Sequence, residues 1–229
     1  MPQLDPRLRA GTTFHEGWLQ GLSPTNEWFR IPDWFAGTWS TTSKTVDQFH
    51  DFKTGLSEQP HRTISNRWQG SRGCQRDREG NIWEFKNVPS VERVETTDTI
   101  DYKLIRDYEP IMVNDAEVSR RKVVTSISVS KGSYKILSVS QQDIIQKSVP
   151  VRAGVVRTVT SSKVFDAEGS PICLQEDQSV SARVADFSPR DYLEFTDLRK
   201  LFKEFLTAHN MIDLVPTEMI GAKTPKTAQ

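Results

Sequence analysis

The sequence has few cysteines and no long hydrophobic run. Among its 229 residues there are two cysteines, Cys74 and Cys173, too few and too far apart for a disulfide scaffold or a cysteine-based metal site. We expect two separate thiols, with one bridge between neighbouring strands as the alternative. No apolar segment approaches the length of a bilayer crossing, so we expect a soluble chain without a membrane span.

An excess of charge of one sign is also missing. Lys and Arg total 30, as do Asp and Glu, so no global field draws the chain to nucleic acid, and we expect no nucleic-acid partner. One local cluster, Arg120-Arg121-Lys122, could bind a phosphate or an acidic partner, or it could be the charged edge of a strand. The four histidines are scattered, so no metal site is predicted. Without a phosphate loop or a nucleophile elbow, the motifs predict neither a cofactor nor a catalytic residue.

What the sequence does contain is a two-residue alternation of apolar and polar positions, interrupted by turn signals, from position 39 to position 184. The pattern predicts roughly eight or nine strands. Val118–Ser130 and Val155–Phe165 are among the clearest, and 91–108 is strand-like throughout. No helical segment long enough for a parallel crossover separates them. The pattern therefore predicts an all-β fold, an antiparallel up-and-down β-barrel over residues 31–187.

Segments of a different character flank this β-region. Residues 1–30 carry scattered aromatic side chains and one or two short helical turns, and we expect an arm that lies on the body or docks on a partner. Ser188-Pro189 is typical of a helix start, and apolar residues then recur at helical spacing. Residues 188–215 are predicted to form an amphipathic helix packed on the barrel, and 216–229 a flexible tail. The alternative is a sheet curled around that helix, as in cystatin-like or transporter-chaperone-like folds.

The motif with the most information is Gly37-Thr38-Trp39, at the start of the first long strand. A Trp at this place can cover one end of a barrel, and the Gly lets the incoming chain cross close beneath it. The motif resembles the Gly-x-Trp signature of the lipocalins and the wider calycins, and the order of arm, strands and helix extends that resemblance along nearly the whole chain. The resemblance implies that an Arg on the last strand packs over the Trp. Arg183 is the candidate, so Gly37, Trp39 and Arg183 are expected to form a structural latch.

A second resemblance is to an uncharacterised family of cyanobacterial and chloroplast proteins. It is carried by Pro32 to Trp39, by Asp77 to Asn81 and by Ser188-Pro189. This resemblance implies a photosynthetic source and a chloroplast or thylakoid location. The composition itself fits reducing and oxidising compartments alike, and a soluble, cytoplasmic protein is the alternative. It implies no reaction.

The interior of the predicted barrel is where a ligand would bind. Aromatic residues on the strands either fill the core or line a cavity. The candidate ligand-binding residues are Trp68, Trp83, Phe85, Tyr102, Tyr134 and Arg183. We expect a non-enzymatic protein that binds a small apolar or amphipathic molecule or serves as a protein-interaction and assembly module. The alternative is a barrel-type isomerase or lyase for a small apolar or chromophore-like substrate, with Glu84, Tyr102 or Arg183 in the cavity.

Overall fold

A computed structural model describes residues 1, 4–19, 24–193 and 196–217. This part of the chain is mostly antiparallel β-structure with one α-helix near its C-terminal end, which confirms the predicted all-β class and C-terminal helix. Short 3-10 helices span Glu16–Leu19 and Ile212–Leu214. The remaining elements are β1 (Trp28–Ile31), β2 (Gly37–Asp51), β3 (Ser57–Glu58), β4 (Arg62–Arg72), β5 (Gln75–Arg76), β6 (Ile82–Phe85), β7 (Ser90–Glu95), β8 (Thr99–Val113), β9 (Val118–Ser130), β10 (Ile136–Arg152), β11 (Val155–Phe165), β12 (Pro171–Ala185), β13 (Tyr192–Leu193), β14 (Thr196–Asp197) and α1 (Leu198–Ala208).

Nine strands form the main sheet. Its order is β3-β2-β12-β11-β10-β9-β8-β7, and β4 pairs with the same edge of β2 as β3 does. The first and last long strands, β2 and β12, are hydrogen-bonded neighbours, as an up-and-down barrel requires. Closure into a barrel is not seen, because among the described strands β4 and β7 do not pair with each other. Between them the chain leaves the main sheet and forms β5 and β6, which join β1 in a second sheet of order β1-β6-β5.

Helix α1 packs on this small sheet and not on the main sheet. Trp28, Trp83 and Phe85 from the small sheet share one apolar core with the buried face of the helix. The ring of Phe202 lies at the centre, with its centroid 4.8 Å from that of Trp28 and 5.7 Å from that of Trp83. Burial of large apolar side chains at about 1.5–3 kcal/mol each stabilises this layer.

The helix begins later than the predicted start at Ser188-Pro189. Its N-cap is Asp197, whose carboxylate accepts a hydrogen bond from Lys200 N at 2.9 Å. Tyr192–Leu193 is instead extended and pairs with Thr196–Asp197. The reason is tertiary, because Arg190 N donates to the carbonyl of Cys74, which ties the segment to β5 before the helix can form.

Other predicted boundaries concern residues 91–108, the N-terminal arm and the C-terminal tail. The single strand expected over 91–108 is two strands, β7 and β8, joined by a turn in which Thr96 Oγ1 accepts a hydrogen bond from Thr99 N. In the N-terminal arm, Phe14 is buried against Tyr102 of the main sheet, while Trp28 and its neighbours belong to β1. The predicted tail lies, from residue 218 onward, outside the described residues. Both cysteines are free thiols.

Candidate functional site

A polar cavity of about 350 Å³ lies against one face of the main sheet. Side chains from β2, β4, β8, β9, β10, β11 and β12 line it, and Glu84 of the small sheet contributes to its wall. Three of its lining residues are basic, namely Arg72, Arg120 and Lys122. We call this space the cationic cavity.

The alternation of strand side chains explains why the basic residues converge. Arg120 and Lys122 are two residues apart on the unbroken strand β9, so both point to the same face. Arg121 between them points to the other face, where its guanidinium is paired with Asp143 at 2.8 Å. Arg72 reaches the cavity from the end of β4, opposite Gly37 of β2.

Aromatic rings hold the two arginines in place. The guanidinium carbon of Arg72 lies 4.2 Å from the centroid of the Phe35 ring, and that of Arg120 lies 4.8 Å from the same centroid. Phe35 is only 1% exposed, so these cation–π contacts form in a desolvated environment where they are strongest. Arg72 also lies 5.3 Å from the centroid of the Trp39 ring. The rings orient both cations but supply no hydrogen-bond acceptor.

The hydrogen-bonding capacity of the two guanidinium groups is only partly used. Arg120 Nη1 donates to the hydroxyl of Tyr108 at 2.9 Å. Arg120 Nε and Arg72 Nη1 are buried and have no hydrogen-bond partner in the part of the chain that the structure describes. Leaving a charged donor buried and unpaired costs free energy, so the cavity is short of acceptors.

The charges that face the cavity do not balance. Three cations, Arg72, Arg120 and Lys122, oppose one carboxyl group, Glu84, which leaves two positive charges in excess. Glu84 accepts a hydrogen bond from the backbone N–H of Gly73, and burial raises its pKa. Burial and the neighbouring charge of Arg120 lower the pKa of Arg72 to about 9 and that of Lys122 to about 8. The lowered pKa values of Arg72 and Lys122 mean that the cavity disfavours the charged form of both side chains.

The three residues of the expected latch lie in contact with one another. Trp39 is fully buried, and the Arg183 guanidinium carbon lies 5.0 Å from the centroid of its ring. Arg183 Nη2 donates to the carbonyls of Asp33 and Trp34 at 2.9 and 2.8 Å. Gly37 has φ 111°, and a Cβ there would lie 2.7 Å from the carbonyl oxygen of Ala185. Only glycine fits this crossing.

The structure does not bring the six expected ligand-binding residues together. Trp68 lines the cationic cavity, whereas Arg183 lies at the Trp39 latch. Trp83 and Phe85 face α1, because they alternate with Glu84 on β6 and it is Glu84 that faces the cavity. Tyr102 pairs with Ile127, on the face of β9 opposite Lys122, and Tyr134 is 55% exposed outside the strands.

The alternation of apolar and polar residues in the sequence did not predict that four residues line one site, namely Arg72, Tyr108, Arg120 and Lys122. The available signal was the alternation on β9, where Val118, Arg120, Lys122 and Val124 share a parity that includes two apolar residues. Basic residues that lie between buried apolar residues of the same parity, as Arg120 and Lys122 lie between Val118 and Val124, are candidates for inward-facing charges. The alternative, a charged strand edge, does not describe β9, which is paired on both sides.

No protein-family model, curated protein or solved structure matches this chain. Within the described ranges, no helix has the length and hydrophobicity needed to cross a bilayer. Nor do three His, Cys, Asp or Glu side chains gather there in a way that would hold a metal ion. The chemistry of the cationic cavity is therefore the main guide to function.

Proposed function

We propose that this chain is a small-molecule-binding protein that holds an organic anion in the cationic cavity. The observation that carries this proposal is the pair of buried, partnerless donors, Arg72 Nη1 and Arg120 Nε, in a cavity with two excess positive charges. An anionic group supplies both the acceptors and the charge that the site lacks.

A carboxylate or phosphate group gains most from such a site. Two guanidinium groups that are already positioned by Phe35 lose little side-chain entropy on binding, and their planar donors match planar or tetrahedral oxyanions. The low dielectric of the partly closed cavity strengthens each of these contacts. The charged end of the ligand is therefore placed between Arg72 and Arg120.

The remaining wall of the cavity favours a ligand with an organic body. The indole of Trp68 is 44% exposed and lies over Gly70, where an added Cβ would meet it at 2.4 Å. It offers an aromatic face at the open side of the cavity. Hydroxyl groups from β2 and β12, such as those of Thr41 and Ser181, line another part of the wall.

This proposal keeps the small-molecule binder expected from the sequence and changes the class of ligand from apolar to anionic. The calycin-like interpretation is part of it, and its support is the pairing of β2 with β12 and the contact of Arg183 with Trp39. A protein-interaction or assembly role and a chloroplast location stay predictions. Phe14 of the N-terminal arm is buried against the main sheet of the same chain, so its side chain is not presented to a partner.

Calorimetric titration with mandelate and with mandelamide tests the proposal. The two compounds share an aromatic ring and differ in charge, so we expect mandelate to bind and mandelamide to bind at least tenfold more weakly. Equal binding of the two would favour an apolar ligand and contradict the anion site.

Two neighbouring arginines on β9 provide a matched pair of variants. Arg120→Met removes a cavity cation and should weaken mandelate binding at least tenfold. Arg121→Met removes the adjacent cation from the opposite face and should leave the affinity unchanged. If both variants lose affinity equally, the effect is one of net charge and the cavity is not the site.

A further inference from the structure

Lys122 is the third cation of the cavity. The proposed anion lies between Arg72 and Arg120, which leaves Lys122 without an assigned role. Several other lysines have a carboxylate within 4.0 Å, among them Lys44, Lys86, Lys131, Lys147 and Lys200. Lys122 Nζ has no such partner among the described residues, and its nearest recorded contact is the Tyr108 ring, with the centroid at 5.2 Å. It is thus an amine that faces the cavity with no carboxylate in ion-pair contact, although Glu84 lines the same cavity.

The neighbours of Lys122 favour the neutral form of that amine. Its pKa is lowered to about 8, first by burial and then by the charge of Arg120. At neutral pH roughly a tenth of the molecules therefore carry an unprotonated amine there, compared with well under a thousandth for a lysine of ordinary pKa. A desolvated lysine beside another cation is an arrangement that makes an amine nucleophilic.

Strand geometry places this amine close to the proposed anion site. Arg120 and Lys122 occupy the same face of β9 two residues apart, a separation of about 7 Å along the strand. Both side chains line the same cavity, so a ligand whose carboxylate contacts Arg120 can place the carbon next to that carboxylate on the side of Lys122. A carbonyl group at this carbon defines a 2-oxo acid.

We propose that Lys122 holds a 2-oxo acid in the cationic cavity as a reversible Schiff base. The inference rests on the proposed function, because Arg72 and Arg120 bind the carboxylate. The unprotonated Lys122 amine attacks the carbonyl carbon, a C–N bond forms, and the carbonyl oxygen leaves as water after taking up two protons. One of these comes from the amine and one from solvent or from Glu84, the acidic residue that lines the same cavity, so the product is the protonated imine, with one proton on nitrogen and one positive charge. Hydrolysis of the imine reverses the step without any oxidant or reductant.

Borohydride trapping of the 229-residue chain with phenylglyoxylate tests this proposal. Phenylglyoxylate and mandelate differ only in having a ketone or an alcohol beside the carboxylate, so mandelate is the matched ligand that cannot form an imine. We expect reduction to fix phenylglyoxylate on Lys122, found by peptide mass spectrometry, and to fix no mandelate.

Two lysine variants separate a nucleophile from a simple cation. Lys122→Arg keeps the charge and removes the amine, so the trapped adduct should fall at least tenfold while mandelate still binds. Lys53→Arg changes an exposed lysine in a turn and should leave the yield unchanged. Circular dichroism spectra of the variants establish that each is folded.

The possible failures can be told apart. If phenylglyoxylate and mandelate both bind but no adduct forms on Lys122, or if Lys122→Arg is trapped as well as wild type, the Schiff base is overturned and the anion site stands. If neither compound binds, the proposed function and this inference both fail.

Discussion

Replacing Lys122 with methionine should stabilise the folded protein at neutral pH, although it removes a residue from the proposed site. The pKa of Lys122 is lowered from 10.5 to about 8 by burial and by Arg120. At ~1.4 kcal/mol for each pKa unit, holding the charged amine in the cavity costs at most ~3–4 kcal/mol. Solvent that enters the open cavity screens part of this cost, so we expect a gain of about 1–2 kcal/mol in the free energy of unfolding of Lys122→Met.

The pH dependence of this gain has a definite sign. Below pH 8 the amine is protonated in both the folded and the unfolded chain, so the full cost is present. Between pH 8 and 10.5 the unfolded chain binds more protons than the folded one, and the stability of the wild type rises relative to that of the variant. Above this range both forms are neutral, and the electrostatic advantage of Lys122→Met is lost.

Urea unfolding followed by tryptophan fluorescence at pH 7 and near pH 10 measures the effect. Other charged or titratable groups face Lys122, namely Arg72, Glu84, Glu92, Tyr108 and Arg120. The wild type and the Lys122→Met variant both contain these groups, so their effects largely cancel when the two free energies of unfolding are compared. Lys53→Met, at an exposed turn, is the control and should change the stability little at either pH. A Lys122→Met variant that is less stable than wild type at pH 7, or whose advantage does not shrink as pH rises, would refute the reasoning.

Three further substitutions test the packing around the site. Phe202→Ala removes the centre of the core beneath α1 and should cost about 3–5 kcal/mol in chemical denaturation, and a loss below 1 kcal/mol would contradict the described packing. Arg183→Met removes two hydrogen bonds to backbone carbonyls and the contact with Trp39, and should cost about 1–3 kcal/mol, while the exposed Arg152→Met should cost little. Gly70→Ala brings a Cβ to 2.4 Å from the Trp68 ring, so it should move the indole and shift its fluorescence, and an unchanged spectrum would argue against that geometry.

Local patterns were sufficient for most of the strands. The bounds predicted for β9 and β11, Val118–Ser130 and Val155–Phe165, agree with the structure because alternation and turn residues are properties of short segments. The turn between β7 and β8 is not predicted, because it contains no Gly, Pro or Asn and Asp98 is its one turn-forming residue. In this turn Thr96 N donates to the carbonyl of Thr99, and Thr99 N donates to the hydroxyl oxygen of Thr96. The helix start escaped for a different reason, since Arg190 is held by Cys74, more than a hundred residues away in the chain.

The candidate site shows the same division. Gly37, Trp39 and Arg183 were chosen from a motif, and they lie in contact because one strand register joins β2 to β12. The aromatic residues are ligand-binding candidates only because of their residue type, and of the five only Trp68 lines the cationic cavity. Alternation shows that a strand has two faces, but it does not show which face meets the cavity. On β6 this choice separates Glu84 from Trp83 and Phe85.

The sequence by itself determined the antiparallel β class, most strand boundaries and the presence of a C-terminal helix, because these depend on periodicity, capping and turn chemistry within short segments. Only the tertiary structure decided that the sheet stays open between β4 and β7 and that α1 covers a separate small sheet. It also decided that Arg72 and Arg120 approach one phenyl ring with donors unpaired. These charges come from distant strands, and they converge because of how the strands are paired and in which register. Strand pairing and register depend on the whole sheet, so no short segment of the sequence determines them.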